Sequence, residues 1–336
     1  MRVEAFAPGR VNLMGDHTDH TGGLVLPIAI DLGTTVRGER EGDVVRLTSV
    51  AASEPAVVPL DVGDPSTVAP GWARYVAGVV SELRPATGFT GDVDTTLPIG
   101  AGLSSSAALE VAVALALGFE GDTRALARLC QRAEQRASGV PCGIMDQLAC
   151  AAGVAGHALR IDCTTLDVRP VEMPDDLEVV VVDSGQRREL ATSAYAERAA
   201  ACEAATVELG PLSEATVDDL DRLEDPVVRR RARHVITENA RVDAVAAALA
   251  RGDRAGLGEA MAASHASLRD DFEVSTPLLD ELVMTLASTP GVVGARLTGA
   301  GFGGCAVALV DRGARLDLRS RHWPVRAASG ATADRS

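Results

Sequence analysis

Residues 98–108 read PIGAGLSSSAA and connect a predicted strand, Val93 to Leu97, to a predicted helix from about Ser105 to Leu117. The two glycines of this stretch allow tight turns and a close approach of the backbone to a ligand. Its serine hydroxyls and the free N–H groups at the start of the helix favour an anion such as phosphate. An ordinary helix cap after a glycine turn has the same pattern. Taken alone, the stretch predicts either a phosphate cradle or a plain cap.

The composition is that of a globular chain, and it excludes several classes of function. The 336 residues carry a formal net charge of −15, which disfavours nucleic acid and membrane surfaces as partners. All 32 basic residues are arginine, so a Schiff-base lysine, pyridoxal-phosphate chemistry and the usual P-loop lysine are excluded. The six cysteines form no CxxC pair and the N-terminus has no signal-peptide pattern. We therefore expect reduced thiols and a soluble, cytoplasmic protein.

The order of predicted elements favours an α+β fold. The chain begins with strands at Val3–Phe6, Leu24–Ile28, Thr34–Arg37 and Val44–Ser49, and mixed segments follow without regular strand–helix alternation. The length predicts about two domains. A link rich in structure breakers at 169–176 places the boundary near residue 170, giving domains at 1–170 and 171–325. Residues 326–336 are small and polar and are predicted to form a flexible tail.

Four segments carry a resemblance to a known family. Residues 98–108 and 296–305 resemble the central and third motifs of the GHMP small-molecule kinases. Residues 9–20, GRVNLMGDHTDH, are similar to the narrower galactokinase signature GRVNLIGEHTDY, and 142–147, CGIMDQ, match the galactokinase pattern at every position. The motifs follow in the correct order over nearly the whole chain. The sequence is therefore identified as resembling the galactokinases of the GHMP superfamily.

This resemblance implies a fold and an activity. The fold is an N-terminal domain like ribosomal protein S5 domain 2 and a C-terminal ferredoxin-like domain, with the active cleft between them. The activity is ATP-dependent phosphorylation of D-galactose at its anomeric hydroxyl, with Mg²⁺ as the metal ion. The expected partners are the sugar and ATP, and the expected assembly is a monomer or a weak homo-oligomer.

The resemblance also assigns roles residue by residue. The catalytic residues are Asp146, which accepts or orients the proton of the sugar hydroxyl, and Arg10, which stabilises the transferring phosphoryl group. The substrate-binding residues are Asp16, His17, Thr18, Asp19, Gly143 and Tyr195. The ATP-binding residues are Gly100, Ala101, Gly102, Leu103, Ser104, Ser105 and Ser106. The magnesium ligands are Ser106 and Glu134. Without the resemblance, Asp146 is equally well explained as a charge at a helix start, and Glu134 as a helix-surface residue.

Two positions depart from the galactokinase signature. Asp16 stands where that signature has Glu, and His20 stands where it has Tyr. The shorter carboxylate reaches one methylene less into the pocket. A different sugar therefore stays open as the substrate, such as N-acetylgalactosamine, arabinose or a uronic acid. A non-catalytic sugar sensor is a further alternative, although the complete Gly/Ser loop and Asp146 argue against it.

Overall fold

In the computed structural model, residues 1–98, 100–187 and 191–336 are described. Their strands are β1 Arg2–Asn12, β2 Leu24–Val25, β3 Pro27–Arg40, β4 Val44–Ser49, β5 Ala56–Pro59, β6 Phe89–Thr95, β7 His157–Asp162, β8 Asp167–Glu172, β9 Leu177–Asp183, β10 Val292–Thr298, β11 Cys305–Asp311, β12 His322–Val325 and β13 Thr332–Arg335. Their helices are α1 Ala73–Leu83, α2 Ser105–Ala116, α3 Thr123–Ser138, α4 Met145–Ala152, α5 Ala191–Leu209, α6 Pro226–Arg251, α7 Arg254–Asp270 and α8 Pro277–Ala287. The mixture confirms the predicted α+β class.

A six-stranded sheet in the order β13-β1-β3-β6-β4-β5 forms the framework of the N-terminal half. Its pairs are antiparallel except for β4 with β6. Helix α2 packs on β1 and β3. Its buried face is rich in alanine, as at Ala107, Ala108 and Ala112, and these small side chains let the helix lie close to the sheet. The start of α2 is thereby held against the end of β1.

A four-stranded antiparallel sheet in the order β10-β11-β9-β12 forms the framework of the C-terminal half. Helices α7 and α8 pack on β10, and α5 packs on α6. Helix α8 has a side-chain cap, since the Thr276 hydroxyl accepts from the backbone N–H of Leu279 at 3.3 Å and Pro277 occupies the first turn.

Between these sheets lies a small sheet in the order β2-β7-β8. Arg169 and Pro170, which the sequence assigns to a link, lie inside β8 and pair with β7 there. The breaker-rich residues 173–176 do connect β8 to β9. The domain boundary near residue 170 stays a prediction.

The prediction of a flexible tail at 326–336 is wrong. Strand β12 pairs with β9 of the C-terminal sheet, and β13 then pairs with β1 of the N-terminal sheet. The backbone N–H of Ser336 donates to Arg2 O at 3.1 Å, and the reverse bond has the same length. Small polar side chains gave no sequence signal for this strand because its pairing uses backbone groups. Among the described residues, no helix has the length and apolar character needed to cross a bilayer.

Candidate active site

A cavity of about 710 Å³ opens between the two halves of the chain. Most of the site residues predicted from sequence line it, namely Arg10, Asp16, His17, Asp19, Gly100, Gly102, Ser104, Ser105, Ser106, Glu134, Gly143, Asp146 and Tyr195. Three others do not, namely Thr18, Ala101 and Leu103. Segments that are far apart in the sequence therefore meet in one place.

The Gly/Ser loop before α2 has a strained backbone that directs it into the cavity. Gly100 and Gly102 have φ angles of 81° and 80°, and Ser104, the residue before the helix, has a φ of 56°. Only glycine adopts positive φ without steric cost, so a side chain at either glycine would oppose this path. The first N–H groups of α2 lack intrahelical partners and carry a partial positive charge. The loop can therefore bind phosphate without a lysine.

Arg10 and Asp146 meet at the end of this loop. Both Nε and Nη2 of Arg10, which projects from β1, lie 2.7 Å from Oδ1 of Asp146. Nη1 of Arg10 donates to Gly102 O at 2.7 Å, so the guanidinium also fixes the loop. The other carboxylate oxygen of Asp146, Oδ2, accepts from the Ser104 hydroxyl at 2.5 Å. The candidate base therefore has a fixed orientation while its side chain stays 27% exposed.

Glu134 on α3 lies beside Ser106 on α2. The Ser106 hydroxyl donates to Oε1 of Glu134 at 2.8 Å, and the amide of Gln147 donates to Oε2. Burial raises the pKa of Glu134 to about 7, and the negative charge of Asp146 adds to the shift. Among the described residues, no group of three or more His, Cys, Asp or Glu side chains is arranged to hold a metal. Two hard oxygen donors beside a phosphate-binding loop suit Mg²⁺, which keeps several waters and uses substrate phosphates as ligands.

His17 and Tyr195 form the aromatic wall of the predicted sugar pocket. The His17 ring lies 5.6 Å from that of Tyr195 and 4.6 Å from that of Phe272, between centroids. Burial lowers the pKa of His17 well below its ordinary value, so the imidazole is neutral at pH 7. Its buried Nε2 atom has no partner. That nitrogen is available to a hydroxyl of a bound sugar.

Asp19 lies against the backbone of Gly143. A Cβ atom at position 143 would fall 1.9 Å from Oδ2 of Asp19, so the carboxylate requires glycine there. Oδ1 of Asp19 accepts from the backbone N–H of His20 at 3.0 Å. Burial, and then the charge of Asp146, raise the pKa of Asp19 to about 6. The CGIMDQ motif therefore contributes both the glycine that lies against Asp19 and the carboxylate that pairs with Arg10.

Asp16 and Thr18 have partners within the protein. Asp16 forms a buried ion pair with Arg296, and its Oδ1 accepts from the backbone N–H of Gly299 at 2.9 Å. Burial raises the pKa of Asp16, and the Arg296 guanidinium opposes that shift. The Thr18 hydroxyl lies 2.9 Å from Gly15 O and 2.6 Å from Leu24 O, so it closes its own loop.

Several residues that line the cavity were not predicted from the sequence. They include Trp72 and Tyr75, together with Ala51, Ala52 and Leu109. The indole N–H of Trp72 donates to Glu54 O at 3.1 Å, which fixes the ring beside the 50–55 loop. None of these residues lies in the motifs at 9–20, 98–108, 142–147 or 296–305. The one usable signal was the rarity of large aromatic side chains, since the chain has two Trp and two Tyr.

The comparisons with known proteins agree with this geometry. The family model "GHMP kinases N terminal domain" matches residues 74–154, and "GHMP kinases C terminal" matches 245–323. The model "Galactokinase galactose-binding signature" matches residues 2–40. A galactokinase from Homo sapiens is 45% identical over 329 residues, covering 92% of this chain and 83% of the relative. The chain belongs to the galactokinase family.

A second relative and two solved structures are also similar to this chain. A galactokinase from Roseiflexus sp. (strain RS-1) is 46% identical over 328 residues, covering 91% of this chain and 83% of its own. The crystal structure of the Lactococcus lactis galactokinase complexed with galactose has a TM-score of 0.90 and 33% identity, covering 98% of this chain and 95% of that one. A mevalonate kinase structure with a TM-score of 0.68, 20% identity and coverage of 97% and 98% shares the fold. The predicted two-domain GHMP kinase fold is confirmed.

Proposed function

We propose that this chain transfers the γ-phosphoryl group of ATP to the anomeric hydroxyl of D-galactose, giving α-D-galactose 1-phosphate and ADP. Membership of the galactokinase family supports the reaction class and the sugar. The observation that carries the site assignment is the Arg10–Asp146–Ser104 contact. It joins the phosphate-binding loop to the segment that also holds Gly143.

Two parts of the cavity lining suit the two parts of ATP. Trp72 and Tyr75 suit the base, and the Gly/Ser loop with the start of α2 suits the phosphates. The γ-phosphoryl group then lies towards Arg10, whose guanidinium spreads positive charge over the transferring oxygens. Ser106 and Glu134 would hold Mg²⁺, whose charge, when bound, offsets that of the phosphate oxygens.

Asp146 orients the sugar and accepts its proton late in the step. A carboxylic acid is a far stronger acid than a sugar hydroxyl, so full proton removal by a carboxylate in the ground state is unfavourable. Loose phosphoryl transfer places most of the catalysis in positioning and electrostatics. As the bond from the sugar oxygen to the γ-phosphorus forms and the bridging bond to ADP breaks, the hydroxyl proton passes to Asp146. The fixed geometry at Arg10 and Ser104 serves this transfer.

The sugar-binding side chains are His17, Asp19 and Tyr195, together with the Gly143 backbone. A neutral imidazole, a carboxylate and a phenol, all in the lining of the cavity, supply donors and acceptors for sugar hydroxyls. A kinase for a different sugar is the second candidate, because Asp16 is held by Arg296 and Gly299. That wall of the pocket then differs from the one implied by the longer Glu of the signature.

The test is ADP release from Mg-ATP with galactose, N-acetylgalactosamine, arabinose, glucose and glucuronate. We expect galactose to give the highest kcat/KM. A higher value for another sugar would assign the retuned pocket to that sugar. Binding of galactose without turnover of any sugar would instead identify a sensor.

A further inference from the structure

The strongest unassigned feature is the buried contact between Arg296 and the sugar-binding segment. We propose that Arg296 is a positioning residue for residues 15–19, and that Asp16 is its anchor rather than a direct ligand of the sugar. The inference rests on the proposed function, because it concerns how the same cavity is shaped. It differs from the role that the family resemblance gives to Asp16.

Arg296 is completely buried, and two of its three nitrogens donate to residues of the 9–20 signature. From β10 the side chain donates through Nη2 to Asp16 and through Nη1 to Leu13 O at 3.1 Å. Its Nε donates to Leu297 O at 3.0 Å, which fixes the guanidinium plane. The planar fork of arginine permits several such bonds at once, and a lysine ammonium at the same place could not reproduce them.

The carboxylate of Asp16 is used on both of its oxygens. Oδ2 faces Arg296, and Oδ1 accepts from the backbone N–H of Gly299 at 2.9 Å. The backbone oxygen of Asp16 also accepts from Nε2 of His234 at 3.0 Å. An aspartate is short enough to satisfy Arg296 and Gly299 together within this buried space. The departure from Glu in the signature is therefore matched to the interior of the protein.

Glu238 on α6 completes the arrangement from the opposite side. Its Oε1 accepts from the backbone N–H of Gly15 at 3.1 Å and from the Ser264 hydroxyl at 2.7 Å, and lies 3.4 Å from Nη1 of Arg296. Its Oε2 accepts from Arg241 at 2.7 Å. Two buried carboxylates thus compensate the buried guanidinium. Such a cluster tolerates the loss of a member poorly, because a remaining charge is left unpaired.

The position of the cavity wall follows from these contacts. His17 and Asp19 line the cavity one and three residues after Asp16, and Gly299 lines it from the C-terminal half. Arg296 and Asp16 thus connect both sides of the pocket at one point. A displacement of this anchor moves His17 and Asp19, and small misplacements of binding groups cost up to about 100-fold in rate.

The experiment compares Asp16→Asn, Arg296→Lys and the double variant in the full-length enzyme. The sugar KM, kcat and dissociation constant are measured together with the midpoint of thermal unfolding. We expect each single variant to raise the sugar KM by about tenfold or more with a smaller change in kcat. The sugar KM of the double variant should be no higher than that of the more impaired single variant, because both changes remove the same contact.

Arg254→Lys is the control, since Arg254 at the start of α7 pairs with Asp176 and Asp311 and does not line the cavity. It should lower the unfolding midpoint and leave the sugar KM unchanged. The proposal would be overturned if Asp16→Asn raised the sugar KM and Arg296→Lys did not. It would also be overturned if the KM increases of the two single variants multiplied in the double variant. Wild-type enzyme is measured first with the sugar panel, so a failure of the proposed function is recognised separately. The variants are then compared on the sugar that reacts or binds best.

A second measurement keeps the test decisive if Arg296→Lys fails to fold. Asp16→Asn keeps the shape of the side chain, and it is titrated with galactose and with monodeoxy galactoses that each lack one hydroxyl. A positioning role predicts that the substitution weakens all of these sugars by the same factor. One deoxy sugar that binds equally to wild type and to Asp16→Asn would show a direct hydrogen bond to Asp16 and refute the proposal.

Discussion

Two arginine–aspartate pairs in this protein have the same chemistry and different surroundings. Arg10 and Asp146 meet at the cavity, with side-chain exposures of 6% and 27%. Arg296 and Asp16 meet in the interior, with exposures of 0% and 2%. Each aspartate also accepts one further bond, from the Ser104 hydroxyl in the first pair and from the Gly299 backbone in the second.

The difference lies in what each carboxylate can still do. Asp146 keeps part of its surface open, so a substrate hydroxyl can reach it. The Asp16 side chain is only 2% exposed where it borders the cavity, and its charge is compensated by Arg296 within a cluster that also includes Glu238. A buried ion pair makes the fold sensitive to the loss of a partner. The same residue types thus leave one carboxylate open to the cavity and hold the other within a buried cluster.

The largest expected effect is on turnover at the open pair. We expect Asp146→Ala to lower kcat by about 10³-fold or more, since general-base groups contribute about 10²–10⁴-fold. Galactose binding should survive in part, because His17, Asp19 and Tyr195 are unchanged. Steady-state kinetics and calorimetric titration measure the two quantities. Asp94→Asn, on the exposed part of β6 outside the cavity, serves as the control. Wild-type turnover in Asp146→Ala would refute its role in transfer.

The second prediction concerns stability, for which the buried pair should matter more than the pair at the cavity. Arg296→Met should lower the free energy of unfolding by about 3–5 kcal/mol, because Asp16 is left buried without a partner. Arg10→Met should cost less, since water in the cavity can hydrate Asp146. Thermal and denaturant unfolding of the two variants give the comparison. Equal losses of stability would show that burial does not separate the pairs.

The smallest expected effect is on the pH dependence of activity, through protonation of Asp19. Its raised pKa of about 6 means that the carboxylate gains a proton as pH falls through 6, which removes an acceptor for a sugar hydroxyl. Asp146 and Arg10 are the charges that act on it, and the N–H groups of His20 and Met145 also face it. We expect protonation of Asp19 to lower kcat/KM for galactose about tenfold between the plateau and pH 5. His20, with a pKa lowered to about 4, does not titrate in this window, whereas Glu134, with a pKa raised to about 7, does and adds its own fall.

Asp19→Asn is the matched variant for the pH experiment. It should lose the part of the fall centred near pH 6, keep the part near pH 7 that comes from Glu134, and have a lower plateau. Since burial raises the pKa of Asp19 above its unfolded value, its contribution to stability is present below about pH 4 and is lost as pH rises to 6. The variant should therefore unfold at a higher temperature than wild type at pH 8. An unchanged pH profile in Asp19→Asn would refute this assignment.

Much of the local structure could be predicted from the sequence. The strand at Val44–Ser49 has the predicted bounds, and α2 begins at the predicted Ser105 after the glycine loop. Apolar periodicity and helix caps depend on residues that are close in the sequence, so they can be recognised without knowledge of the fold. Strand β13 was missed because a short polar edge strand depends on the backbone of β1, more than 300 positions away.

The sequence by itself predicted which side chains gather at the cavity, through motifs in which the relevant residues lie within a few positions of each other. The loop at 98–108, the signature at 9–20 and the CGIMDQ helix start are of this kind. Only the tertiary structure decided that Asp16 faces Arg296, that Glu238 accepts from Gly15, and that Trp72 lines the cavity. Asp16 and Arg296 are 280 residues apart. Whether they touch depends on how the two halves pack against each other. A local sequence motif contains no information about that packing.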